Sequence, residues 1–216
     1  IKVPLMSPPM PAKKRSLPIS QRDNIRLAFA HKKPMWMPII CDATQWIFPP
    51  SEHDSAGGPT GQCSDGYDWF GTFYKYEAAQ CGTTPMPGMF DEIDEWEEKV
   101  KWPDLEAVDW TEGFKDFVRD PGRALATRFG TSGFERLIAF EGFEQCLCDI
   151  LTEPEECAAF FKRHAKYRAD CIRHLQEVWH FDYIINHDDW ANARSQFFSL
   201  KTFEETLLEP AASIAE

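Results

Sequence analysis

The chain has 216 residues, is 43% hydrophobic and carries a formal net charge of −12 at pH 7. A chain of this length can bury a sizeable core, and one domain is the default expectation. The acidic balance argues against a nucleic-acid-binding protein, which needs a clustered basic face. No run approaches the roughly 18–20 apolar residues of a membrane span, so neither nucleic acid nor a membrane is an expected partner.

The seven cysteines are irregularly spaced and include no CxxC pair. This pattern predicts reduced thiols and a cytoplasmic protein. The one close pair, Cys146 and Cys148, is interpreted as two thiols on different faces of a helix rather than as a metal clip.

Residues 1–19 are rich in proline and carry a short basic run, a composition typical of an extended arm. The single predicted domain then covers residues 20–216. It opens with an amphipathic helix for which Ser20 is the expected N-cap, and the helix ends before Pro34.

Residues 34–41 are predicted to form an apolar strand, interrupted or bulged at Pro38. A long loop rich in Gly, Pro and Asp follows at 42–66, and loops of this length are usually functional or disordered. The aromatic stretch 67–78 indicates a strand or hairpin. The acidic stretch 91–110 indicates two short solvated helices, with no chemistry assigned to its charges.

The C-terminal half alternates between strand and helix patterns. The predicted order is a strand at 124–129, a helix from about 134, a helix capped by Thr152 and ending at Trp179, a strand at 183–186, and a helix from about 202. Strands alternating with helices predict an α/β fold with a parallel sheet, either a barrel or an open doubly wound sheet.

Each predicted strand ends in polar or glycine-rich residues, at 42–45, 130–133 and 187–190. The C-terminal ends of parallel strands face the same way, so these residues are predicted to meet in one pocket. For any single aspartate at a strand end, capping the next helix is the commoner role.

The segment 187–190 reads His-Asp-Asp-Trp. Adjacent carboxylates repel unless one faces solvent, a cation or a donor, so Asp188 and Asp189 are candidate catalytic residues. His187 is either an acid–base group, a ligand or a packed core histidine. Trp190 either stacks on a flat ligand or closes the mouth of a barrel.

Several segments resemble, in order, parts of the uroporphyrinogen decarboxylase superfamily. The clearest are "GFERLIAFEGFEQCLCDI" and "HDDWANARSQFFS", and the resemblance covers most of residues 20–216. It implies a TIM-type (β/α)8 barrel with the ligand at its C-terminal mouth. The superfamily includes the decarboxylase of haem biosynthesis and cobalamin-dependent methyltransferases that demethylate small substrates.

Two departures from the family pattern refine this expectation. The decarboxylase has an arginine-rich stretch where this chain reads "CDATQWIFPP", without arginine, whereas "HDDW…FFS" is closer to the O-demethylase type of methyltransferase. The barrel is also expected to be incomplete in 216 residues. The zinc ligands of the methyltransferases, His-x-Cys and a distant Cys, would then lie beyond Glu216, with no metal site in this chain and possibly a second chain completing the barrel.

The resemblance therefore implies a methyltransferase that moves a methyl group from a small methylated compound, such as an aryl methyl ether, to a corrinoid on a partner protein. The alternatives are decarboxylation of a tetrapyrrole and a non-catalytic binding module. His187, Asp188 and Asp189 are the candidate catalytic residues. The candidate substrate-binding residues are Asp42, Gln45, Trp46, Phe48, Arg128, Thr131 and Trp190.

Overall fold

The computed structural model describes residues 17–48, 64–79, 82–112 and 114–215. They form a mixed α/β structure with two small sheets and a set of helices. The predicted N-terminal arm and much of the predicted long loop lie outside the described residues.

The helices are α1 (Gln21–Phe29), α2 (Ile40–Ala43), α3 (Trp96–Lys99), α4 (Gly133–Glu141), α5 (Phe143–Thr152), α6 (Pro154–Trp179), α7 (Leu200–Thr206) and α8 (Leu208–Ser213). The strands are β1 (Thr44–Trp46), β2 (Gly66–Tyr67), β3 (Phe73–Glu77), β4 (Gly82–Met86), β5 (Ala124–Phe129) and β6 (Tyr183–Asn186). Two 3₁₀ turns, Ile93–Glu95 and Leu105–Ala107, lie in the acidic stretch. No helix in the described part of the chain is both long and apolar enough to cross a bilayer.

Strands β1, β5 and β6 form a parallel sheet with β5 in the centre. The parallel α/β class predicted from the alternating pattern is therefore confirmed. Strands β2, β3 and β4 form a separate antiparallel sheet. A fully buried ion pair between Asp68, which follows β2, and Arg136 of α4 ties that sheet to the helices.

The two faces of the parallel sheet have different surroundings. Leu125 and Phe129 of β5 belong to the main hydrophobic core, together with aromatic residues of α4 and α6. On the other face, Ala124 packs with Ile25 of α1, while Arg128 is exposed. Side chains alternate between the faces of a strand, so this face carries small residues near its start and an open polar end.

The predicted strand at 34–41 is wrong. Its backbone is held by α1 instead of by a sheet, because Asn24 accepts from the Met35 N–H at 2.8 Å and donates to the Trp36 carbonyl at 3.0 Å. Pro38 has no N–H to give to a neighbouring strand. The chain then turns through α2 and enters the sheet only at Thr44.

The caps of the helices agree only in part with the sequence. Ser20 caps α1 as predicted and accepts from the Asp23 N–H at 3.0 Å. Thr152 does not cap α6, because it is the last residue of α5 and its hydroxyl donates to the Cys148 carbonyl at 3.1 Å. Cys146 is buried and Cys148 is exposed, so these two thiols do lie on different faces of one helix.

Candidate functional site

The C-terminal edge of the parallel sheet brings residues 130–133 and 187–190 together. The carboxylate of Asp188 accepts from the N–H groups of Phe134 at 3.1 Å and Glu135 at 2.9 Å. These N–H groups are in the first turn of α4, where backbone donors have no partner within the helix. Asp188 therefore caps a helix from a distant part of the chain, since Phe134 lies 54 residues earlier.

The indole of Trp190 completes the surroundings of Asp188 by donating to the same carboxylate at 2.8 Å. Its ring packs on Phe203 of α7, with centroids 4.7 Å apart. Burial raises the pKa of Asp188, while the three hydrogen bonds from Glu135, Trp190 and Phe134 act in the opposite direction. The hydrogen bonds of Asp188 therefore hold the first turn of α4 and Trp190 in place at this edge of the sheet.

Beside Asp188 lies a cluster of three side chains that can exchange protons. His187 Nδ1 is 3.1 Å from a carboxylate oxygen of Glu135, and its Nε2 is 3.4 Å from Asp189. The side chains of His187 and Asp189 are 47% and 67% exposed, so the cluster is open to solvent. A substrate could therefore reach the imidazole from outside.

Glu135 has the proton affinity that an acid–base group needs near neutral pH. Burial raises its pKa to about 7, the hydrogen bond from His187 opposes this rise, and the charges of Asp188 and Asp189 add to it. A group with a pKa near the working pH can both give and take a proton. The pair Glu135–His187 can therefore hold one proton and release it to a bound molecule.

Glu135 is the candidate functional residue that the sequence analysis missed. The sequence feature that could have indicated it is a carboxylate in the first turn of the helix that follows the predicted strand at 124–129. That position lies at the same sheet edge as the end of the neighbouring parallel strand. Only the pairing of β5 with β6, in which Phe129 lies beside Asn186, shows that Glu135 and His187 meet.

Thr131 lies at the predicted edge but is 1% exposed. Its carbonyl accepts from the guanidinium of the fully buried Arg168 of α6. Next to it, the amide of Asn186 donates to the Ser132 hydroxyl at 2.9 Å. Arg168 and Asn186 thus hold the loop after β5 in place. Thr131 is part of this loop and does not face solvent.

Asp42 lies at the opposite end of the sheet, which corrects its predicted position. Because β1 begins at Thr44, Asp42 precedes the strand and does not follow it. Its carbonyl accepts from Arg123 Nε at 3.0 Å, and Arg123 directly precedes β5. Of the three strand ends predicted to meet, only those of β5 and β6 do so. The assignment of Asp42 to substrate binding therefore loses its basis.

The remaining candidates are divided between the faces of the sheet. The side-chain amide of Gln45 donates to the Val118 carbonyl at 2.7 Å and accepts from the Asp120 N–H at 2.9 Å, so it joins β1 to the segment before β5. On the other face, Trp46 stacks with Phe48, with centroids 6.4 Å apart, and its edge meets Tyr183 at 5.9 Å.

Arg128 is exposed beside Ile185. Among the described residues, no ion pair joins it to Asp188 or Asp189, so it is not the partner of these carboxylates. It lies on the same face as Trp46, because the side chains of Ala126 and Arg128 alternate with that of Thr127 and Trp46 pairs with Ala126.

No group of three His, Cys, Asp or Glu side chains within the described ranges is placed to hold a metal ion. No protein-family model matches the chain, and neither a curated protein nor a solved structure is significantly similar to it. The resemblance to the uroporphyrinogen decarboxylase superfamily therefore stays a prediction from the quoted segments.

Proposed function

We propose that this chain forms part of a (β/α)8-barrel enzyme that removes a methyl group from a small methylated compound and passes it to a corrinoid on a partner protein. The observation that carries the proposal is the Glu135–His187 pair, in which the carboxyl has a pKa of about 7 and the ring is open to solvent. The parallel sheet and the resemblance of its segments support the barrel.

Cleavage of a methyl ether leaves an alkoxide or phenoxide oxygen, which is a poor leaving group unless it receives a proton. In the proposed reaction the C–O bond breaks, the methyl group leaves without its bonding electron pair, and the oxygen keeps that pair. The Glu135–His187 pair gives its proton to this oxygen, so the products are an alcohol or phenol and a transferred methyl group.

The corrinoid, when bound, supplies a Co(I) nucleophile for the methyl group. The chain's own residues hold the reacting oxygen and the proton. Asp188 fixes the first turn of α4, which carries Glu135, and so sets the distance between Glu135 and His187. Trp46 and Phe48 provide an aromatic wall on the face of the sheet that carries Arg128, suited to a flat ring.

The deciding experiment is an assay of the full-length protein with Co(I) corrinoid and a panel of aryl methyl ethers, methanol and methylamines. Loss of the Co(I) absorbance, dependent on both protein and methyl donor, is expected for at least one donor. No transfer with any donor, from protein that is folded by circular dichroism, would count against the proposal. Decarboxylation of uroporphyrinogen in a parallel assay would favour the tetrapyrrole reaction instead.

A non-catalytic binding module is the second candidate, because the oxygens of Asp188 serve α4 and Trp190 and so have a structural role. The variants Glu135→Gln and Glu144→Gln distinguish the enzyme from the binding module. Glu144 is an exposed carboxylate in the first turn of α5 and serves as the matched control. An enzyme loses turnover only in Glu135→Gln, whereas a binding module keeps its ligand affinity in both variants.

A further inference from the structure

A small cavity of about 10 Å³ is lined by Asp188, the residue beside the cluster of Glu135, His187 and Asp189. Its polar wall is formed by Ser132, Gly133, His164 and Asp188, and apolar residues of α6 and of the segment 207–214 line the rest. A cavity of this size has room for about one water molecule, and a buried water is held where it finds two or more polar partners.

His164 is the unusual member of this wall. It is fully buried in α6, and neither of its ring nitrogens has a hydrogen-bond partner among the described residues. Burial lowers the pKa of His164 well below its ordinary value, and the charges of Arg168, Arg136 and Arg163 lower it further. The ring is therefore neutral and has one N–H to donate and one nitrogen to accept.

The ring of His164 faces the start of α4. A Cβ atom placed on Gly133 would lie 4.0 Å from His164 Nδ1, and the next two N–H groups of that helix hold Asp188. Polar groups in a protein interior are nearly always hydrogen-bonded, either to protein or to water. An imidazole and a carboxylate on the wall of one small cavity are suitable partners for a shared water.

We propose that a single water molecule occupies this cavity and bridges the His164 ring to the carboxylate of Asp188. His164 then acts as a positioning residue for the acid–base cluster, because the bridged carboxylate is the group that orients Glu135. The catalytic meaning of this bridge rests on the proposed function, whereas the bridge itself does not.

Packing alone does not call for a histidine at this position. The ring centroids of Trp102, Phe160 and Tyr167 lie 6.2–6.4 Å from that of His164. A phenylalanine would suit this aromatic environment and would lack only the hydrogen bonds. His164→Phe therefore removes the proposed bridge while keeping the contacts of the ring.

The test follows the carboxyl ¹³C chemical shift of Asp188 against pH by NMR in the wild type, His164→Phe and His174→Phe. His174 is the matched control, since it lies on α6 and stacks on Trp110 away from the cavity. The midpoint of Asp188 is expected to rise by about half a pH unit or more in His164→Phe, because its ionised form loses a donor. It should stay unchanged in His174→Phe, and an unchanged midpoint in folded His164→Phe overturns the proposal.

A second measurement uses the wild-type protein and covers the case in which His164→Phe fails to fold. A high-resolution crystal structure is expected to show one ordered water within hydrogen-bonding distance of both the His164 ring and Asp188. A dry cavity overturns the proposal. Neither measurement uses a methyl donor, so failure of the proposed water bridge is distinguishable from failure of the proposed methyl transfer.

Discussion

Asp188 and Asp189 are adjacent in the chain but differ in their surroundings. Asp188 accepts hydrogen bonds from two backbone N–H groups and from Trp190. Asp189 is 67% exposed and lies 3.4 Å from the ring of His187. The repulsion expected between neighbouring carboxylates is relieved because Asp188 faces donors and Asp189 faces solvent.

Asp188→Ala is expected to lower the free energy of unfolding by about 1–2 kcal/mol, as the loss of a helix cap does. Alanine removes both acceptor oxygens from the first turn of α4. Asp189→Ala is the matched control and should change stability by less than about 0.5 kcal/mol. Urea unfolding measures both, and equal effects in the two variants would contradict the assigned cap.

Glu135 sets the expected pH dependence of the proposed reaction. The acid form is needed, and its pKa is about 7, so the rate should be level below pH 6 and fall above about 7. The fall should approach about tenfold per pH unit, as for a single required proton. Glu135→Gln should abolish this transition and lower turnover by about 10²-fold. An unaltered pH profile in Glu135→Gln would assign the proton to another group.

At the scale of elements, Asp182 joins three separate parts of the chain. Its carboxylate is 2% exposed and pairs with Arg22 and Arg26 of α1 and with Arg119 from the segment before β5. It also accepts from the Leu125 N–H at 2.9 Å. These contacts attach α1 to the N-terminal end of the parallel sheet.

Asp182→Asn is expected to cost about 1–3 kcal/mol of stability, as for buried hydrogen bonds to a charged group. Burial alone would raise the pKa of Asp182, but the bonds from Arg22 and the Leu125 N–H and the arginine charges lower it. The stabilisation is therefore complete above the ordinary carboxyl pKa and is lost as the pH falls below it. Asp170→Asn, which breaks only surface pairs, should cost under about 1 kcal/mol by thermal unfolding.

The junction of α4 and α5 buries a pair of carboxyl groups. Burial raises the pKa of Glu141 to about 9, helped by the charge of Asp149 and a hydrogen bond with it and opposed by Cys146. Gly142 makes the junction possible, since its φ of +101° is a conformation that favours glycine. Glu141 is therefore protonated in the folded protein at neutral pH.

Glu141→Gln is expected to raise the free energy of unfolding relative to the wild type by more at pH 8 than at pH 5. In the wild type the unfolded chain ionises Glu141 above its ordinary pKa while the folded chain does not, so stability falls as the pH rises toward about 9. Glutamine keeps the shape and removes this ionisation. Urea unfolding at both pH values should show a smaller difference in the variant, and an equal slope in both proteins would contradict the assignment.

For the whole molecule these opposite shifts predict a maximum of stability near the ordinary carboxyl pKa, at about pH 4. Below the ordinary carboxyl pKa the Asp182 contacts are lost, and above it the raised pKa values of Glu135 and Glu141 make folding progressively less favourable. The free energy of unfolding measured from pH 3 to 9 should therefore fall on both sides. A constant value between pH 5 and 8 would contradict this balance.

The parts of the fold with a local cause were predictable from the sequence. The pattern of β5, the long apolar stripe of α6 and the Ser20 cap each depend on neighbouring residues, and all three are present. The strand expected at 34–41 failed because its backbone partners come from Asn24 of α1, a contact between separate parts of the chain.

The sequence by itself determined that the chain forms a parallel α/β sheet with polar residues at its strand ends, because side-chain periodicity follows from local backbone geometry. Only the tertiary structure decided which of those ends meet. The pairing of β5 with β6 places Glu135 against His187 and gives Asp188 its helix to cap. Proton affinity depends on burial and neighbouring charge, so the raised pKa of Glu135 beside His187 arises only once these distant segments are packed.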